Sequence, residues 1–265
     1  MTTQNLDLID PALLLLAYRG GVFPMADSRD DPEIFWVEPK RRGILPLGGF
    51  RVSHSLARTL RRGRFTVTCN AAFGDVLEAC AAPRRAESDD GGETWISARI
   101  AASYRELHRL GHAHSIECWI DGALVGGLYG VGFERVFCGE SMFSRVPDAS
   151  KVALAWLVSA MRLGGAELLD CQFITSHLAS LGAVEIPQKR YLALLRDAMR
   201  PKEPGIRDLR PQSGMAGSTG AGVGSAAGGA LSLPDAFGAL LGAAKSAGFS
   251  SSPGKFIAQS LTQTS

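Results

Sequence analysis

Cysteine is sparse and unpaired in this chain. Its five cysteines (Cys69, Cys80, Cys118, Cys138, Cys171) are scattered, with no Cys-x-x-Cys. That argues against a disulfide framework and against a cysteine zinc site. Long apolar runs are missing too: Leu13–Leu16 is four residues, far short of the roughly 20 that cross a bilayer. No basic segment followed by an apolar core opens the chain, so neither a signal peptide nor a membrane partner is expected. A cytoplasmic enzyme or binding protein is the natural class. The net charge is only +2, so a site for a polyanion has to be local. No Gly-x-Ser-x-Gly elbow occurs, and Gly139-Glu140-Ser141 lacks the strand–turn–helix spacing. His112 and His114 with Glu117 could suggest metal ligands, but His112 lies at a helix-to-strand turn and no further ligand falls at metal spacing, so no metal is expected. Gly126-Gly127-Leu128-Tyr129-Gly130 falls inside a hairpin and not between a strand and a helix, which excludes a dinucleotide loop. It marks a bulge or a close backbone approach.

Two further absences divide the chain. Residues 40–64 contain no Asp or Glu but hold Lys40, Arg41, Arg42, Arg51, Arg58, Arg61, Arg62 and Arg64. Ser53 caps a helix through Leu60, which puts Arg58, Arg61 and Arg62 on one side of it. A basic run is often a solvated face; eight cations without an acid make a case for phosphate contacts by Lys40, Arg41, Arg42, Arg58, Arg61 and Arg62. After Pro204, charge nearly vanishes. Residues 211–265 carry only Asp235, Lys245 and Lys255, and seven of the twenty residues Pro211–Ala230 are Gly. Such composition reads as a disordered tail that can be removed without effect. Within it, Phe237, Leu240, Leu241 and Ala244 have helical spacing and could instead dock as a helix.

What is present alternates helices and strands. Asp10-Pro11 starts a helix ending near Gly20. Phe35-Trp36 beside Pro39 is either core packing or a stacking platform. Asn70 and Ser97 cap helices, and strands 115–120 and 123–129 join at Asp121-Gly122, a favoured hairpin turn. A strand then carries Glu140, Asp148 caps a helix that Gly164 and Gly165 end, and Leu168-Leu169 begins a buried strand. Asp170 and Gln172, two apart on that strand, should share a face. Together they are either an ordinary strand end or a polar site inside the fold. The pattern is α+β, not a clean βαβ repeat.

Several motifs stand together in one family's order: Thr94-Trp95-Ile96, Gly111 to Glu117, Leu124 to Gly130, Phe137 to Ser144, Asp148-Ala149-Ser150-Lys151, Asp170-Cys171-Gln172 and His177 to Ala183. Over about residues 10–200 the chain resembles the leucyl/phenylalanyl-tRNA–protein transferases. The resemblance implies a small N-terminal domain (1–52) and a catalytic domain like that of the acetyltransferase superfamily, GNAT-like (53–204), ahead of the tail (205–265). It implies transfer of Leu or Phe, less readily Met, from aminoacyl-tRNA to the α-amine of proteins beginning with Arg or Lys. The product is a degradation signal. The donor ester is already activated, so no cofactor is implied, and a monomer is expected. Asp170 and Gln172 match the proposed relay, with Gln172 as acceptor for the attacking amine and Asp170 as a charge favouring the cationic N-terminus. Leu128, Phe137, Met142, Leu154 and Leu157 match the donor side-chain pocket, Trp36 and Trp95 the donor's nucleoside end, and Glu140 the donor's amine. For Leu154 and Leu157, plain core remains an equal reading. Met25 and Phe35 stand where many members have Trp. A tRNA-end binding module and an acyl-CoA-dependent acyltransferase are the alternatives. The second lacks its pyrophosphate loop, since Met142 to Pro147 stands there.

Overall fold

An acidic cap followed by proline starts helix α1 (Pro11–Arg19), where the Asp10 carboxylate accepts from the Ala12 N–H at 2.8 Å. The computed structural model describes residues 8–83, 94–201 and 232–262. After α1, β1 (Phe23–Met25) and β2 (Phe35–Val37) pair as a small antiparallel sheet. Then come β3 (Arg41–Ile44), α2 (His54–Arg62), β4 (Thr66–Cys69), α3 (Phe73–Ala81) and α4 (Ala98–Arg109). Three long strands follow: β5 (Ala113–Ile120), β6 (Ala123–Phe133) and β7 (Val136–Ser144). The remaining elements are α5 (Ala149–Leu163), β8 (Leu168–Gln172), α6 (Ser176–Ser180), β9 (Val184–Pro187), α7 (Gln188–Met199), α8 (Leu233–Ser246) and α9 (Pro253–Thr262).

Seven strands form one mixed sheet in the order β4-β5-β6-β7-β8-β3-β9. Every pairing is antiparallel except β7 with β8, which α5 connects as a crossover. The architecture is therefore α+β, with a small N-terminal region ahead of a large mixed sheet. One face of the sheet packs on α5, with α2, α8 and α9 outside it, and the other packs on α1, α3, α4 and α7. The hairpin turn forms as its residues require: Asp121 and Gly122 both take positive φ, 50° and 76°. Gly130 sits at a register shift between β6 and β7, where a Cβ would overlap the Cys138 carbonyl oxygen.

Several local expectations are corrected. β3 and β9 are not foreshadowed, because Arg41-Arg42-Gly43 is a strand only through its neighbours on both sides. β3 lies within the 1–52 segment, yet it is a strand of the large sheet. Asp148 does not cap α5: it adopts φ 69°, and its carboxylate binds Lys151 Nζ at 3.0 Å and accepts from Thr59 Oγ1 at 3.1 Å. Asn70 does not cap α3 either. Its Oδ1 accepts from the Ser115 N–H, and its Nδ2 bonds His114 Nδ1, both at 3.0 Å.

The largest correction is at the end of the chain. Residues 233–262 are not a disordered appendage: α8 and α9 pack on the α5 face. Phe237 and Leu240 are buried, and the Phe237 ring centroid lies 5.4 Å from that of Trp156. Composition misled because the apolar partner belongs to α5, not to the segment itself. The Gly-rich stretch 211–230 lies outside the described residues, as do Arg84 and Arg85, a second pair of cations the sequence offers for phosphate contact.

Candidate active site

β7 and β8 pair over three positions only, Val136 with Leu168, Phe137 with Leu169 and Cys138 with Asp170. Where that ladder stops, a cavity of about 750 Å³ opens, a volume ordinary for small-molecule sites. Leu128, Met142, Leu154, Leu157 and Leu169 give it apolar walls, with Phe23, Met25 and Trp95 contributed from the N-terminal half. Glu140 and Gln172 are its inner polar groups, and Asp148, Lys151, Thr175 and His177 also reach it.

Glu140 is placed by the break in register between β6 and β7, where Ser141 pairs with Tyr129 and Gly139 with Gly130. The extra residue is Glu140, re-aimed by the bulge toward Tyr104 and Gln172. Tyr104 Oη donates to Glu140 Oε2 at 3.1 Å, and Tyr18 and Tyr104 share a 2.6 Å hydrogen bond behind it. Gln172 Nε2 donates to Glu140 Oε1 at 3.2 Å, which leaves the amide oxygen of Gln172 for a donor in the cavity. Burial pushes the Glu140 carboxyl from 4.5 up to about 8, the tyrosine hydrogen bonds opposing it and the Asp170 charge adding to it.

Asp170 and Gln172 do not share a face. Gln172 takes φ 55°, and this left-handed residue ends the alternation of β8. Its N–H donates to Asp170 Oδ1 at 2.9 Å, the pattern of an Asx turn. Gly43 makes the kink possible: it pairs with Gln172, and a Cβ there would come within 2.8 Å of the Phe173 carbonyl carbon. Asp170 itself is fully buried and is not part of the cavity wall. Arg42 holds both its oxygens, Nε to Oδ1 at 2.9 Å and Nη2 to Oδ2 at 2.6 Å, and Tyr191 Oη donates to Oδ2 at 2.9 Å. Its charge is thus compensated inside the fold and does not face an incoming amine.

Arg42 is correspondingly lost as a phosphate contact. It is 1% exposed, lies between the Phe23 and Tyr191 rings at 4.7 and 4.5 Å, and donates to the Gly21 carbonyl at 3.0 Å. Alternation explains the difference from Arg41, which points outward to Glu185. Lys40, Arg58, Arg61 and Arg62 are exposed, as are Arg51 and Arg64.

Of the donor-pocket expectations, Trp95, Leu128, Glu140, Met142, Leu154 and Leu157 line the cavity. Phe137 does not: it lies in the paired part of β7, fully buried beneath α5. Trp36 does not either. It pairs with Pro24 and so faces away from Phe23 and Met25, which do line the cavity. Phe23, Phe173 and His177 were missed, although Phe173 and His177 follow closely on Gln172 and the last belongs to a quoted motif; Met25, noted only as a replacement for the family's Trp, also lines the cavity. His114 and Glu117 are engaged elsewhere, His114 with Asn70 and Glu117 with Thr68, Ser115 and the Ala72 N–H.

Comparison with known proteins gives one result. Residues 44–196, more than half of the chain, match the family model described as leucyl/phenylalanyl-tRNA protein transferase, and residues 7–40 match the model of that family's N-terminal domain. A leucyl/phenylalanyl-tRNA–protein transferase of Novosphingobium aromaticivorans is 66% identical over 264 residues, covering 97% of each chain. One from Rhizorhabdus wittichii is 61% identical over 191 residues, 72% of this chain and 75% of its own. One from Zymomonas mobilis is 55% identical over 193 residues, 73% and 70% respectively.

Proposed function

From the chain's membership of the leucyl/phenylalanyl-tRNA–protein transferase family, we infer that the cavity seats the aminoacyl end of a charged tRNA and joins its Leu or Phe to the α-amine of a protein beginning with Arg or Lys. Met is accepted less readily. The observation that carries this reading is an apolar-walled cavity with Glu140 and Gln172 hydrogen-bonded on one wall. Leu128, Met142, Leu154 and Leu157 take the donor side chain, and Trp95 stacks near the terminal nucleoside. An α-amine with an ordinary pKa near 8 attacks the ester carbonyl; the C–N bond forms, the C–O bond to the terminal ribose breaks, and the amine's proton ends on the departing ribose oxygen, which leaves as the free tRNA hydroxyl. The Gln172 amide oxygen, fixed by Nε2 donation to Glu140, orients that amine. Asp170 acts one step back, by holding the kink that aims Gln172. The donor ester supplies the activation, so no cofactor enters the scheme. Peptides bearing N-terminal Arg, incubated with labelled Leu-tRNA or Phe-tRNA, should acquire the label; peptides beginning with Ala should not. Absence of transfer to the Arg peptide would refute the assignment.

The catalytic unit is read as GNAT-like, supported by its mixed sheet and the α5 crossover. Acyl-CoA is disfavoured as donor, because Asp148 holds its carboxylate at the N-terminal end of α5, where a pyrophosphate would need positive potential. A monomeric, cytoplasmic enzyme fits this scheme, and no helix among the described residues is long and apolar enough to cross a membrane.

The acceptor stem is assigned to α2. Arg58, Arg61 and Arg62 are exposed on it and have no ion-pair partner among the described residues. Arg61→Glu combined with Arg62→Glu should raise KM for charged tRNA about tenfold or more and flatten its salt dependence. A KM equal to the parent's would place the stem elsewhere.

Glu140 gives a pH prediction. Its folded carboxyl titrates near 8 against an ordinary 4.5. Between those values the unfolded chain ionises while the folded site stays protonated, so the stability this group contributes below 4.5 is lost as pH rises to about 8. Melting temperatures of Glu140→Gln and the parent should agree near pH 4.5 and diverge upward in the variant's favour. Parallel curves would mean that Glu140 ionises normally.

A further inference from the structure

Residues 232–262 lie beyond both family models, yet they form two buried-faced helices, α8 and α9. Their packing is directed. α8 closes on α5 through Phe237 and Trp156. α9 closes on α2. The tightest point is Gly254, in the first turn of α9: a Cβ there would overlap the carbonyl oxygen of Leu60, in the last turn of α2. Gly254 has no positive φ to require glycine, and alanine would favour the helix. Glycine is therefore explained by the contact with α2 alone.

α2 needs such a support. It has nine residues, too few to persist as a helix without packing. Leu56, Ala57 and Leu60 are buried on its inner side, and Leu56 and Leu60 share one cluster with Ile257, Ala258 and Leu261 of α9. Arg58, Arg61 and Arg62 stand on its outer side. The N-terminal end of α9 meets the carbonyl end of α2, an attractive arrangement of helix dipoles.

We propose that the α8–α9 hairpin is a positioning element for tRNA: through Gly254 it fixes α2 so that Arg58, Arg61 and Arg62 meet the phosphates as a preset row. This rests on the assignment of the acceptor stem to α2. Preset cations gain affinity because no ordering is left to do on binding. The chemistry itself, at Glu140 and Gln172, does not depend on the hairpin.

The test uses the full chain with Gly254→Leu, which wedges α9 from α2, and Phe237→Ala, which loosens α8 from α5 away from the α2 contact. Each is assayed with Phe-tRNA and with 3′-phenylalanyl-adenosine, a donor without a stem. Gly254→Leu should raise KM for Phe-tRNA about fivefold or more, with kcat and phenylalanyl-adenosine turnover within about twofold of the parent. Phe237→Ala should lower the melting temperature and leave KM for Phe-tRNA within about twofold. Equal losses with both donors would make the hairpin a stabilising element only, and the proposal would fall. It would fall equally if Gly254→Leu left KM for Phe-tRNA unchanged while reversal of Arg61 and Arg62 raised it. If that reversal had no effect, the assignment of α2 would be at fault instead.

Discussion

Asp170→Ala should melt well below the parent protein and Gln172→Ala close to it, although both should lose turnover. Removing the Asp170 carboxylate strands the Arg42 guanidinium, 1% exposed, with no counter-charge and with the Gly21 carbonyl and the Tyr191 hydroxyl as its remaining acceptors. Breaking a buried pair from one side costs about 3–5 kcal/mol, or roughly 6–20 °C for a chain of this size. The N–H of Gln172 loses its acceptor as well, so a residue already at φ 55° loses what holds it there. Gln172→Ala leaves this pair intact. It removes only a cavity-facing amide, so turnover should drop about 10²-fold or more, in the range for groups that assist proton transfer, with KM for charged tRNA nearly constant. Thermal melts and steady-state kinetics on the two variants check this. Equal melting temperatures would show that the Arg42–Asp170 pair contributes little to the folded state.

Truncation after Gly205 should destabilise the protein. Leu233, Phe237, Leu240, Ile257 and Leu261 are all buried, and such side chains contribute about 1.5–3 kcal/mol each on burial. Ordering the backbone of α8 and α9 offsets most of that sum, which leaves a net loss of a few kcal/mol and about 5–10 °C in melting temperature. Trp156, 4% exposed beneath Phe237, becomes solvated, so its fluorescence should shift to the red and the truncated chain should bind a hydrophobic dye. A truncated protein with the parent's melting temperature and emission would restore the view of this segment as a dispensable appendage.

How far the sequence could be read depended on where each interaction's partner stands. Ser53 and Ser97 cap helices three residues away, Asp121-Gly122 needs only its own φ values, and all three features are found as expected. Much of the cavity lining was legible through the family's motifs, except where alternation mattered: Phe137 and Trp36 stand on faces of their strands turned away from the cavity. Arg42 and Asp170 are 128 positions apart. Nothing near Arg42 marks it off from the exposed arginines around it. The kink at Gln172 was hidden because non-glycine residues rarely take positive φ, and its signal, Gly43, lies in another strand. Of the terminal helices, α8 was offered only as the alternative to disorder and α9 was missed, because composition counts a segment's own apolar surface and not the groove that receives it.

The contact between Leu60 and Gly254 also has a consequence in time. During synthesis at about 5–20 residues per second, α2 leaves the ribosome about 10–40 s before α9 exists. Through that interval Leu56 and Leu60 lack the cover that Ile257, Ala258 and Leu261 of α9 later supply, and the nascent chain carries a row of arginines on a helix not yet locked. Whatever chaperones or anionic surfaces it meets then, it meets as a different molecule from the finished enzyme. The contact between Leu60 and Gly254 closes a loop that spans nearly three-quarters of the chain.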